Sequence, residues 1–92
     1  RMLGSTNVVN DDARELYIQA GNAAKGEGDY PTSVEAYQKA LDLSSEDYER
    51  AQMYEAISSS YKMFDLSQAV APLTRAAELY MAQGKWTTAS QI

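Results

Sequence analysis

A Gly-polar-aromatic turn occurs twice in this chain, each time between two helical patterns. Gly28-Asp29-Tyr30 follows the apolar stripe Leu16, Tyr17, Ala20, Ala23, Ala24. Gly84-Lys85-Trp86 follows the stripe Val70, Leu73, Ala76, Ala77, Tyr80. A small residue stands three positions beyond each aromatic, Ser33 and Ala89. A third helix end, Phe64-Asp65-Leu66, lies between the two and lacks glycine. Breaks about every 18–20 residues give half the period of a helix-hairpin repeat. No alternating apolar segment exceeds four residues, so no sheet is expected. The pattern predicts an all-α fold, a fragment of a right-handed α-solenoid with about four helices and the start of a fifth. Such folds work by presenting a surface to a partner.

Residues 1–10 have turn composition and are expected to form a loop or linker. Residues 11–92 are expected to form the helical hairpins. Asn10 or Asp11 suits an N-cap, with Asp11, Asp12 and Glu15 favourable in the first turn. Helix one then runs to about Lys25, where Gly26 and Gly28 end it. Helix two begins near Pro31, buries Val34, Tyr37, Ala40 and Leu41, and ends at Ser44–Ser45. Helix three spans about Asp47 to Met63, with Met53, Tyr54, Ile57, Tyr61 and Phe64 on one side. Asp65 or Ser67 caps helix four, which reaches about Gln83. Pro72 is expected to bend helix four slightly. A fifth helix starts near Thr87. The opening on Arg1 and the barely begun last helix are those expected of a piece of a longer protein.

Composition removes several function classes. The 92 residues carry eight cations against thirteen carboxylates, for a net charge of −5. That balance opposes nucleic-acid binding, which draws on a surplus of Lys and Arg. The chain has no cysteine and no histidine. Disulfide frameworks, Cys/His zinc sites and histidine acid–base chemistry are therefore out of reach. No apolar run approaches the ~20 residues of a membrane span. Asp11-Asp12 and Glu46-Asp47-x-Glu49 sit at helix starts, where carboxylates favour the macrodipole, and neither has a calcium-loop pattern. Gly21-Asn-Ala-Ala-Lys25-Gly26-Glu-Gly28 lacks the Gly-Lys-Ser/Thr ending of a phosphate loop and follows no strand. With no nucleophile–base pair, the chain reads as a non-enzyme with no catalytic residue, metal site or cofactor. Tyr17, Tyr37, Tyr54, Tyr61, Tyr80 and Trp86 read as core knobs.

Residues 13–45 resemble a tetratricopeptide (TPR) repeat through Tyr17, Ala20-Gly21-Asn22-Ala23, Gly28-Asp29-Tyr30 and Tyr37-Gln-Lys-Ala40-Leu41. In such repeats Gly21 and Ala40 sit where helices touch. Residues 51–80 form a weaker repeat in which Ser58 stands where glycine is commoner. A closer resemblance covers nearly the whole chain. Ala13 to Lys25, Tyr48 to Lys62, and Ala69 to Ala89 resemble the N-terminal part of the soluble NSF attachment protein (SNAP) family. Its better evidence is Gln68 to Tyr80 leading straight into Gly84-Lys85-Trp86-Thr87-x-Ala89.

That resemblance implies an adaptor that binds assembled SNARE bundles and recruits a hexameric disassembly ATPase in vesicle-mediated protein transport. It implies a cytoplasmic protein at the membrane periphery. Met2 and Leu3 fall where the family has a membrane-attachment loop, although no phenylalanine stands there. SNARE bundles are acidic, so the expected partner-binding cations are Lys85, Lys62, Arg75 and Lys39. Lys85 matches a basic residue the family places at this turn. A second family cation corresponds to Gln91, which carries no charge. The competing reading is a generic TPR interaction module for a peptide or a chaperone. Of a chaperone-type carboxylate clamp only Asn22 matches, because Ile18 and Ala56 occupy clamp positions. An isolated piece of this kind is expected to associate with a second copy of itself.

Overall fold

The computed structural model describes residues 2–82, with side chains from residue 11 onward. It is all-α, with no strand among the described residues. Its elements are α1 (Met2–Gly26), α2 (Tyr30–Asp42), α3 (Asp47–Phe64), a 3-10 turn (Leu66–Gln68) and α4 (Val70–Ala82). Each helix packs on the next in the chain: α1 on α2, α2 on α3, α3 on α4.

Helix α1 starts at Met2, well before the cap expected at Asn10 or Asp11. No proline interrupts Met2–Asn10, and extending an existing helix costs far less than nucleating one. No helix end therefore marks a division at residue 10. The far end of α1 follows the expectation closely. Gly28 adopts φ +83°. Its N–H donates to the Lys25 carbonyl at 3.0 Å, and the Asp29 N–H donates to the Ala24 carbonyl at 2.8 Å. These two bonds form a Schellman motif, which needs a left-handed residue where Gly28 stands. Asp29 then caps α2, its carboxylate accepting from the Thr32 N–H at 3.4 Å. Pro31 lies in the first turn, where its missing N–H costs nothing.

The core is a cluster of Val34, Tyr37, Ala40, Met53 and Ile57, with Ile18, Leu41, Ala56 and Tyr61 packed against it. Tyr37 is its largest member, and its ring lies flat against Gly21 of α1. A β-carbon on Gly21 would stand 2.6 Å from that ring, so only glycine permits this approach. The Tyr37 hydroxyl donates to the Asn22 amide oxygen at 2.5 Å. Burial pushes the phenol above its ordinary value of 10.0.

The buried face of α1 differs from the expected stripe. Leu16 is 66% exposed and Tyr17 is also exposed, as are Ala20 and Ala23. Gly21 and Ala24 are buried, with Arg14, Ile18 and Lys25 half-buried beside them. The close approach of Tyr37 requires Gly21 to face inward, which turns Leu16 and Tyr17 outward. Tyr17 is therefore no core knob. Tyr37 is one, and Tyr54, Tyr61 and Tyr80 are half-buried. Phe64 lies near the surface, with its ring centroid 5.4 Å from that of Tyr61.

Three consecutive serines make α3 the hub of the stack. The Ser58 hydroxyl donates to the Ala69 carbonyl at 2.7 Å, just before α4. Ser59 accepts from the Lys25 ammonium of α1 at 2.6 Å. Ser60 meets Ser33 of α2 at 2.6 Å between fully buried side chains. Ser33 donates its own proton to the Tyr30 carbonyl at 2.9 Å, so Ser60 is the donor of that pair. Glycine at position 58 would leave the Ala69 carbonyl with only the weak 3.4 Å bond from the Leu73 N–H.

Helix four departs from expectation at its start. Asp65 begins the 3-10 turn, and α4 proper starts at Val70. Pro72 is therefore the third residue of the helix, where its N–H would have had no partner, and no bend follows from it. The Asp65 carboxylate accepts from Ser67 and Gln68. Those two bonds hold it below its ordinary value. On α4, Ala76 is buried and Tyr80 donates to Glu55 of α3 at 3.1 Å. Val70, Leu73, Ala77 and Met81 face outward.

Candidate functional site

Two grooves open between the helices, and their charges differ in sign. The first lies between α1 and α3, with a volume of about 700 Å³. Ile18 and Met53 form its floor, and Glu15, Glu49 and Glu55 stand around it with Arg14. Arg14 pairs with Glu49 at 3.3 Å, so that pair cancels and two carboxylates remain in excess. Both elements place acids here because their polar faces meet at this opening.

The second groove, about 460 Å³, runs over α3 between α2 and α4. Tyr54, Ile57 and Tyr61 form its floor at the i, i+3, i+7 spacing of one helix face. Gln38 borders it from α2, and Pro72 and Arg75 border it from α4. Among the described residues none lining it is acidic. The guanidinium groups of Arg50 and Arg75 approach the Tyr54 ring, at 6.0 and 5.8 Å from its centroid, and of the two Arg75 lines the groove. Both distances suit cation–π attraction. Arg75 also pairs with Glu78 at 2.9 Å, a link open to solvent that contributes little to stability. Arg50 reaches the Leu41 carbonyl at 3.5 Å.

Among the expected partner-binding cations, Lys39 lies on α2, Lys62 near the end of α3 and Arg75 on α4, all exposed. Arg75 enters the second groove. Lys39 and Lys62 are chain neighbours of its lining residues Gln38 and Tyr61. Lys85, with the turn Gly84–Trp86, lies outside the described residues, as do the side chains of Met2 and Leu3. The Asn22 amide oxygen is occupied by the Tyr37 hydroxyl, so it serves the fold. The Arg50–Tyr54 pair has an i, i+4 spacing as its one signal in the sequence. The approach of Arg75 to the same ring has no local signal.

No helix among the described residues is long and apolar enough to cross a membrane. Helices joined by short turns, stacked in chain order and grooved between hairpins, define a helical-hairpin protein. The chain belongs to the soluble NSF attachment protein family, whose model matches residues 1–92. Comparison with curated proteins gives no match, and neither does comparison with solved structures.

Proposed function

We propose that this chain is a SNAP-like adaptor, which docks on an assembled SNARE bundle and recruits the hexameric disassembly ATPase in vesicle-mediated transport. The family match over residues 1–92 carries this reading. The packing of each helix on the next supports a TPR-like right-handed solenoid as the scaffold. The docking surface is formed by the cations Lys39, Lys62, Arg75 and Lys85, which complement the acidic bundle and speed encounter with it. Exposure of the first three suits that role. The acidic opening between α1 and α3 meets like charge on such a bundle and disfavours docking there.

Beads bearing a four-helix SNARE bundle are expected to retain the protein at low salt and to release it as salt rises. No retention at low salt sinks the proposal. Lys85→Glu is expected to weaken capture several-fold, and unchanged capture removes Lys85 from the surface.

Met2 and Leu3 supply a membrane contact at the cytoplasmic periphery. Shallow insertion of two apolar side chains adds at most ~1.5–3 kcal/mol each on full burial. Replacing both by serine is expected to lower co-sedimentation with liposomes. Equal co-sedimentation of variant and parent refutes the contact.

A further inference from the structure

We infer that the groove between α2, α3 and α4 is a peptide site, which takes an extended segment of a partner protein bearing carboxylates next to aliphatic side chains. In a chain of net charge −5, an opening lined by no acid among the described residues is a local exception. Its two ends differ. Arg75 lies over Tyr54 at one end, and among the described residues its salt-bridge partner is the exposed Glu78. A ligand carboxylate replaces that solvated link at a guanidinium already held against a ring, so little ordering is added on binding. At the other end Ser67 and Gln68 border the groove while donating to Asp65. The Asp65 charge there opposes a second carboxylate. Between the ends lie Ile57, Ala71 and Pro72, an apolar stretch that matches aliphatic side chains.

The length also fits. Tyr54 and Tyr61 are seven residues apart on α3, about 10 Å at 1.5 Å per residue. That distance accommodates about three residues of extended peptide at ~3.3 Å each. Arg75 and Asp65 at opposite ends place the ligand carboxylates beside Tyr54 and the aliphatic side chains over Ile57, Ala71 and Pro72. This inference rests on the groove itself and not on the SNARE reading.

The probes are two short fluorescein-labelled peptides with glycine–serine flanks, two glutamates and the pair leucine–valine in either order. Fluorescence polarisation is expected to show saturable binding to the full chain. A peptide with lysines in place of the glutamates is expected to bind at least tenfold more weakly. Arg75→Gln is expected to weaken the glutamate peptide about three- to fivefold. Ala71→Trp, which fills the groove from an exposed position without altering charge, is expected to weaken it more than tenfold while helical circular dichroism stays unchanged. Absence of saturable binding, equal binding of the lysine peptide, or undiminished affinity in a folded Ala71→Trp protein each overturns the inference. A chain that captures the SNARE bundle and ignores the peptide overturns this inference alone. One that binds the peptide and not the bundle overturns the adaptor reading alone.

Discussion

Tyr37→Ala is expected to lower the unfolding free energy by about 3–5 kcal/mol, the usual cost of truncating a buried aromatic to alanine. That is a large share of a total stability of about 5–15 kcal/mol. The ring is 2% exposed and joins three elements: it lies on Gly21 of α1, belongs to α2, and packs with Ile57 of α3. Tyr37→Phe separates the ring from its hydroxyl. It removes only the bond to Asn22 and is expected to cost about 0.5–1.5 kcal/mol. Urea unfolding of the three proteins measures both terms. A loss in Tyr37→Phe equal to that in Tyr37→Ala would place the stability in the hydroxyl and not in the packing.

The same residue sets an alkaline limit. Burial raises the folded phenol above its ordinary value of 10.0. The neutral form is the one the fold retains, so its contribution is complete below about pH 10 and is lost as pH rises through the folded value. Tyr80 is raised as well, first by burial and then by its bond to Glu55. Tyr37→Phe is therefore expected to flatten the alkaline loss without removing it.

Ser33 and Ser60 are the second strong test. Ser33→Ala strips the part-buried Tyr30 carbonyl of a donor and the fully buried Ser60 hydroxyl of its acceptor. An orphaned buried group costs about 1–3 kcal/mol. Ser60→Ala is milder, because Ser33 keeps its bond to Tyr30. The double variant is expected to cost less than the sum of the two single ones, since neither hydroxyl is then left unpaired. Additive losses in a double-mutant cycle would mean that the two hydroxyls do not interact.

Much of the fold was legible in local chemistry. Gly28, Asp29 and Pro31 carry the α1–α2 turn in three adjacent signals, each with its own backbone reason. Helix α2 buried Val34, Tyr37 and Ala40 at the expected period. The outer helices were less legible. Their apolar stripes, Leu16-Tyr17 and Val70-Leu73, face outward. Periodicity shows that a helix has an apolar face, while close contacts such as Tyr37 on Gly21 decide which face turns inward. The 3-10 turn was hidden because Asp65, Ser67 and Gln68 satisfy one another through side chains. The groove was half legible: Tyr54, Ile57 and Tyr61 share a period on α3. Arg75 reaches Tyr54 only through tertiary packing, across 21 positions of sequence.

The three serines of α3 have a mechanical consequence. A helix held only by apolar side chains can roll about its own axis, exchanging one set of rotamers for another. Successive residues point about 100° apart, so bonds from Ser58, Ser59 and Ser60 radiate toward three different neighbours. Any roll of α3 stretches at least two of them, and hydrogen bonds weaken steeply with misalignment. The helix is keyed in azimuth, like a shaft in a slotted hub. Tyr54, Ile57 and Tyr61 are therefore held at a fixed bearing, and whatever docks over them meets a floor that does not turn.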